Sequence, residues 1–314
     1  MPERDVDFLI VGGGDAGFSC ARTLREQGAD GTVVVVSRDP DPPYDRTACS
    51  KGYLRGSQSR ADTLLAAPDW WDRHDVELLA RTSALKLDVA EKTVTLSNKD
   101  TVRYGKLLVA TGANVRRLRL EGSDLQGIHY LRALGNADAI RRGAEDAERI
   151  VLVGGSYIAT EVAATLTSLG KPCVLVMQEE VTLERGFGRR VGRFFQGLLE
   201  QHGVEVHPGQ DVERFEGVDG RVTAVVTRSG RRIAGDVVVV GAGVMPDVML
   251  ARSPQAYAAA KRLLWLAANV DLESGMVAEG LAQSLLIGTS EHREGVAAAR
   301  RRIAGEARTP DADG

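Results

Sequence analysis

With 314 residues, 43% of them hydrophobic, the chain has material for about two domains of ~100–200 residues, each with a buried core, which excludes a wholly disordered protein. Its 40 Lys+Arg against 43 Asp+Glu leave a formal charge of −3, so no global basic field exists to hold nucleic acid or an anionic membrane. Met1 to Asp7 is acidic and runs straight into a strand-like segment, and no later apolar stretch nears the ~18 residues of a membrane span, which predicts a soluble, cytoplasmic protein. Cys20, Cys49 and Cys173 are odd in number and far apart, giving neither a disulfide framework nor a metal-ligand pair, so no metal is expected.

Residues 6–11 form an apolar run interrupted only by Asp7, followed by Gly12, Gly13, Gly14, Asp15, Ala16 and Gly17, then a helical pattern through Cys20, Ala21 and Leu24 that stops at Gly28. The β-branched run 32–36 predicts a second strand, completing a βαβ unit whose strands are buried on both faces of a parallel sheet. Proline- and tryptophan-containing loops fill 39–71. Short runs at 76–79, 84–89, 93–96 and 106–110, separated by turn residues, suit an antiparallel flap and a closing parallel strand. A second such unit opens at Ile150: strand 150–153, turn Gly154-Gly155-Ser156, a helix through Ile158, Val162, Ala163 and Leu166 to Gly170, and strand 173–177. Runs at 203–206, 222–227, 231–234 and 237–240 repeat the earlier succession. Beyond Arg252 the pattern is helical only. Ser253-Pro254 suits a helix start, with an apolar stripe at Ala256, Ala260, Leu263, Leu264 and Ala267. A second helix is expected from after Asp271 to Gly288, and Thr289-Ser290 caps a third that runs to Ile303 or Ala304.

The spacing Gly12-x-Gly14-x-x-Gly17 lets a tight turn bring backbone N–H groups and a helix N-terminus against a pyrophosphate. Many glycine turns bind nothing; the position after a strand and before a helix is what makes this one read as dinucleotide-binding. The acidic group that would hold a ribose hydroxyl about 20 residues further on is Asp39, with Ser37 and Arg38 as less conventional candidates. Gly154-x-Ser156-x-x-Ala159 keeps the small-residue logic in relaxed form, and two such units suggest two dinucleotides facing one another. After its second strand come Met177, Gln178, Glu179 and Glu180, whose carboxylates would repel a 2′-phosphate and favour NADH over NADPH. The expected class is α/β: two Rossmann-like, three-layer dinucleotide-binding domains at 1–114 and 115–245, a short all-α tail at 246–304, and a disordered end at 305–314.

The segment Pro43-Tyr44-Asp45-Arg46-Thr47-Ala48-Cys49-Ser50-Lys51-Gly52-Tyr53-Leu54 is distinctive. With it go the turn at Gly12, Leu108-Val109-Ala110-Thr111-Gly112-Ala113, the turn at Gly154 with Glu161, and Val240-Gly241-Ala242-Gly243-Val244-Met245-Pro246-Asp247. Over about residues 5–252 this set resembles the FAD-dependent ferredoxin-reductase and apoptosis-inducing-factor family of pyridine-nucleotide oxidoreductases. The resemblance implies that Gly12, Gly14, Asp15, Ala16 and Gly17 cradle the FAD pyrophosphate. It sets Arg46 against the adenosine-phosphate portion, with Arg38 and Asp39 near it, and brings Lys51 to the flavin ring. Ala84, Ala110, Thr111, Gly112 and Arg117 complete the cofactor contacts. Gly154, Gly155, Ser156, Tyr157, Ile158 and Glu179 would line the NAD(P)H site, and Glu161 would lie close to nicotinamide and flavin as the second catalytic group beside Lys51. Gly241, Ala242 and Gly243 would form the return loop between domains. The implied activity carries hydride from NADH to FAD and electrons onward to a ferredoxin-like carrier or a small-molecule acceptor such as a quinone.

Three departures qualify the resemblance. Thr47-Ala48-Cys49 stands where the family has Pro-x-Leu, and the lone Cys49 cannot support dithiol chemistry, so it reads as a packing thiol. Met177 replaces an acidic residue carried by many NADH-binding relatives. After Met245 no strand ending in Gly-Asp follows, the only such pairs being Gly14-Asp15 and Gly235-Asp236. Instead, residues 253–304 resemble the C-terminal helices of the enoyl-CoA hydratase (crotonase) family, as if two proteins were joined near Arg252. The catalytic parts of that fold are absent, so acyl-CoA chemistry is not expected, and His292 reads as a helix-start residue. The alternative to a working reductase is therefore a remnant that binds a dinucleotide without turnover.

Overall fold

A computed structural model of the chain describes residues 3–246. The chain divides into two compact units, Met1–Met245 and Pro246–Gly314. The description below concerns the first; the expected tail helices over 253–304 and the end at 305–314 lie outside the described residues.

The first sheet begins with β1 (Glu3–Val11), α1 (Asp15–Glu26) and β2 (Val33–Val36). A 3₁₀ turn at Arg46–Ser50 leads into the short α2 (Gly52–Arg55), then α3 (Trp70–Arg73), β3 (Val76–Leu79), β4 (Ala84–Asp88), β5 (Thr93–Leu96) and β6 (Thr101–Val109). The order is β3-β2-β1-β6-β5-β4. β1 pairs in parallel with β2 and β6, and β2 with β3, whereas β4 and β5 run antiparallel beside the start of β6. The run at 76–79 therefore belongs to the parallel edge, and only β4 and β5 make the expected flap. With a single β-branched residue, Val76, in Val-Glu-Leu-Leu, alternation could not distinguish edge from flap.

β7 (Ala113–Val115) and β8 (Ile128–Tyr130) lead to α4 (Leu134–Glu145), β9 (Ile150–Val153), α5 (Tyr157–Ser168) and β10 (Cys173–Val176). α6 (Glu184–Gln201), β11 (Glu205–His207), β12 (Val212–Val218), β13 (Arg221–Thr227), β14 (Arg232–Ala234), β15 (Val237–Val240) and β16 (Val244–Pro246) follow. The second sheet is wholly parallel, in the order β11-β10-β9-β15-β8. All four residues of β9, of β10 and of β15 are buried, as expected of strands covered on both faces. On one side Leu134, Ile140, Val162 and Leu166 of α4 and α5 close over it. On the other, Phe215, Val222, Val225 and Ile233 of the β12–β14 meander do so, making three layers. Both sheets thus carry a Rossmann-like strand–turn–helix–strand unit.

The segment 44–54 belongs to the first half by sequence but packs with the second. Tyr44, Ala48, Cys49, Tyr53 and Leu54 share one core with α4 and α5. The hydroxyl of Thr165 on α5 donates to the Ser50 carbonyl at 2.7 Å. This wedge sets the geometry of the site.

Candidate functional site

At the end of β1 the chain turns at Gly12, which has φ +129°, and its N–H donates to the Val36 carbonyl at 2.9 Å. A Cβ on Gly12 would overlap the Ala110 carbonyl oxygen, and one on Gly17 would overlap that of Gly12. Gly14, which caps α1 with extended backbone at φ −94°, has open space where its Cβ would stand. Two glycines therefore serve close backbone packing, while the third leaves a gap above the helix N-terminus, where backbone N–H groups and the helix dipole attract an anion. Asp15 and Ala16 form the first turn of α1.

The second turn repeats this geometry. Gly154 has φ +118°, its N–H donates to the Val176 carbonyl at 2.8 Å, and a Cβ would stand 2.6 Å from the Gly241 oxygen. Ser156 caps α5 with φ −101° and ψ −171°, close to the −94° and −171° of Gly14, and makes no side-chain cap bond. The fully buried Ala159 stands where Gly17 does. Its backbone N lies 2.9 Å from where a Gly241 Cβ would sit. By these equivalent bonds Glu179 occupies the position of Asp39. Ile158 packs on the core below, and Tyr157, half exposed, sets its ring edge-on to Phe187 at 6.0 Å.

Beside the first turn lies a cluster of arginines around one carboxylate. Asp39 Oδ2 accepts the Tyr44 hydroxyl at 2.8 Å and stands 3.5 Å from the Arg46 guanidinium. Arg46 lies over the Tyr44 ring at 5.0 Å and donates to the Arg132 carbonyl at 2.9 Å, while Arg38 donates to Asn114. Asp39 is therefore engaged with Tyr44 and Arg46. The Arg132 guanidinium lies about contact distance (3.5 Å) from a Gly112 Cβ position and pairs with no described carboxylate. Burial first, then the Arg46 charge, hold it below the usual arginine range. The Thr111 hydroxyl oxygen is buried without a hydrogen-bond partner among the described residues. A bare guanidinium, an orphan hydroxyl and an open helix N-terminus form a donor set suited to a diphosphate, so these residues fit the group implied by the resemblance.

The wedge brings Lys51 and Glu161 together. Lys51 Nζ stands 3.0 Å from Glu161 Oε2, and the same oxygen accepts the Ser50 hydroxyl at 2.5 Å. Their side chains are 50% and 28% exposed, so the pair faces an opening rather than the core. Cys49 is buried, and its thiol is pushed up to about 11 by burial, as suits a packing role.

The other expected residues lie further out. Ala110 N–H donates to the Val11 carbonyl at 2.7 Å and Gly241 N–H to that of Val153 at 2.7 Å, so both return loops close against their turns. Ala242 packs on the second core, and the Gly243 carbonyl accepts from Arg116 at 3.0 Å. Arg117 lies over the Tyr130 ring at 5.1 Å, and Ala84 opens β4; neither joins the arginine cluster by a described contact. Sequence reasoning missed Arg132, which no motif spacing marks, and the Ser50 and Thr165 bonds, which span 111 and 115 residues. Among the described residues no cluster of metal-ligating side chains occurs, and no described helix is long and apolar enough to cross a membrane.

Two Rossmann-like units, each with a glycine turn at a helix N-terminus, are an arrangement suited to binding nucleotides. Residues 6–264 match the model of the pyridine nucleotide-disulphide oxidoreductase family, and the chain belongs to it. It is 36% identical over 243 residues to the ferredoxin reductase component of chlorobenzene dioxygenase from Cupriavidus sp. (strain PS12). It is 37% identical over 247 residues to the ferredoxin–NAD(+) reductase component of the biphenyl dioxygenase system of Paraburkholderia xenovorans. These matches cover 77% and 78% of this chain but only 59% and 60% of the relatives. Among solved structures, the ferredoxin reductase for the CYP199A2 system from Rhodopseudomonas palustris superposes with a TM-score of 0.75 at 27% identity, over 78% of this chain and 61% of that one. The reductase–putidaredoxin covalent complex gives 0.75 at 31%, over 78% and 60%.

Proposed function

We propose that the chain is an FAD-dependent NAD(P)H oxidoreductase of the ferredoxin-reductase type, with residues 1–114 holding FAD and 115–245 holding NAD(P)H. The observation that carries this reading is the Lys51–Glu161 pair at 3.0 Å, which ties the wedge of the first half to α5 of the second, each half having a glycine turn of near-identical geometry. The bound cofactors would supply the redox chemistry, hydride from NADH to FAD and single electrons onward to a ferredoxin-like carrier or a quinone-type acceptor. Gly12, Gly14, Gly17, Thr111, Gly112, Arg46 and Arg132 bind the first dinucleotide, and Gly154, Gly155, Ser156, Tyr157 and Glu179 bind the second. Lys51 would offer a cation to the bound flavin, Glu161 fixes the ammonium, and Ser50 orients Glu161. The names of the two relatives given above, both ferredoxin reductases, support the acceptor class. The resemblance of residues 253–304 to the C-terminal helices of crotonases brings no acyl-CoA chemistry to this reading, and the protein works in the cytoplasm.

Because the chain spans about three-fifths of those relatives, a second reading is dinucleotide binding without turnover. The visible spectrum of the purified protein before and after anaerobic NADH separates them. A flavin band that bleaches is the expected result. A colourless protein that takes up no added FAD overturns the reductase reading and leaves the second.

A further inference from the structure

β11 is the outermost strand at one end of the five-stranded sheet, and β14 is the outermost strand at one end of the meander that covers it. Residues of both line a cavity of about 320 Å³, to which neither glycine turn contributes. Its wall carries three guanidinium groups, from Arg149, which precedes β9, and from Arg231 and Arg232, where β14 begins. Glu205 and His207 of β11 stand among them.

Each guanidinium is held in place by one acceptor. Arg149 pairs with Glu205, Arg231 donates to Nδ1 of His207 at 2.6 Å, and Arg232 donates to Glu216 at 2.8 Å. A guanidinium has donors only, so Nδ1 accepts and the ring proton sits on Nε2, which lies 2.7 Å from Glu205 Oε1. An imidazole in that tautomer cancels none of the arginine charge. Glu205 is already taken up by Arg149, and Glu216 is shared with Arg214 at 2.7 Å. Arg231 therefore has no carboxylate partner among the described residues, and most N–H groups of the three guanidinia are left over. Tying the two strands together would need one arginine and one carboxylate. Three guanidinia on one cavity repel each other, and a bound anion relieves that repulsion.

We propose that this cavity binds a phosphate group, free or carried by a small molecule, with Arg231 as its main ligand and Arg149 and Arg232 beside it. A tetrahedral phosphate takes donors from several directions, as three guanidinia supply them, whereas a planar carboxylate is satisfied by a single fork. The donors stand on or next to strands and are oriented by their own acceptors, so little order has to be created on binding. The site is separate from the two glycine turns and does not depend on their dinucleotide reading.

The test follows the ring signals of His207 by proton NMR, one of five histidines in the chain, assigned by their loss in His207→Gln. Orthophosphate, glycerol 3-phosphate and malonate are titrated in about 0.15 M salt, where loose attraction to exposed charge is screened. Either phosphate is expected to move the signals saturably, as Arg231 turns from the imidazole to the anion, and the tighter of the two identifies the free or the esterified form as the ligand. Saturating NADH should leave the response in place. Arg231→Ala should weaken binding by about tenfold or more, and Arg231→Lys by less, since it keeps the charge and loses the fork. No response to either phosphate up to about 10 mM, or an unchanged affinity in Arg231→Ala, overturns the proposal. Malonate binding as tightly as phosphate overturns the ligand class, and a response abolished by NADH assigns the anion to the second glycine turn and overturns the separate site.

Discussion

Gly12, Gly14 and Gly17 look equivalent in the sequence, yet they answer to different constraints. At Gly17 a methyl group would run into the Gly12 carbonyl, and at Gly12 both the Ala110 carbonyl and a φ of +129° stand against any side chain. Gly14 has room and an ordinary φ. Gly14→Ala is therefore expected to keep its urea midpoint within about 1 kcal/mol of the wild type, the scale of a cap substitution, while losing FAD affinity. Gly17→Ala should lose both, because backbone must move; equal stability of the two variants would contradict this division. The spacing made the motif legible, but not which glycine faces the ligand, since that depends on Ala110, almost a hundred residues away. Asp39 and Glu179 tell a similar story. Their places at the ends of β2 and β10 could be read from the sequence, and their guanidinium partners could not.

At the scale of elements, the valine- and isoleucine-rich strands β1, β2, β9, β10 and β15 were legible because parallel strands buried on both faces leave unbroken apolar runs. α6 was not. Its helical pattern is interrupted by Gly186, Gly188, Gly192 and Gly197, with Gly188 in a non-helical conformation at φ +76°. It also leaves Phe187, Phe194 and Phe195 exposed, contrary to the usual one-sided burial. The wedge of the 3₁₀ turn and α2 was found as a motif, but its packing on α4 and α5 was not. That packing makes Leu54, fully buried, a core residue of the second half. Leu54→Ala should cost about 2–5 kcal/mol in urea unfolding. Phe194→Ser, at a site 64% exposed, should stay within about 0.5 kcal/mol. Comparable losses in the two variants would mean that the wedge is not held as described.

For the molecule as a whole, acid should act in two stages. His129, on β8, is held below its ordinary value of 6.5 by burial and then by the Arg142 charge. The unfolded chain thus takes up that proton more readily, so this contribution is complete above 6.5 and fades as pH falls through the lower folded value. Glu77, lowered chiefly by its hydrogen bond from Arg4, and Asp7, lowered by the Thr32 backbone, respond further down. Their contributions are present above the ordinary values of 4.5 and 3.8 and vanish as pH drops through the depressed ones. Urea midpoints across about pH 3 to 8 should show both stages, and His129→Gln should flatten only the upper one. An unchanged upper stage in that variant would assign it elsewhere.

The bond from Thr165 to Ser50 spans 115 residues, and it ties a segment made early to a helix made late. On the ribosome, at ~5–20 residues per second, the segment around Tyr44 and Leu54 waits roughly 6–23 s for the surface that will cover it. The first sheet has its own strands by then, so it can form while this one apolar flank stays open to chaperones. The nascent chain thus closes this wedge only when the second Rossmann-like unit has emerged, and the Lys51–Glu161 pair is among the last contacts of the chain's first half to be made.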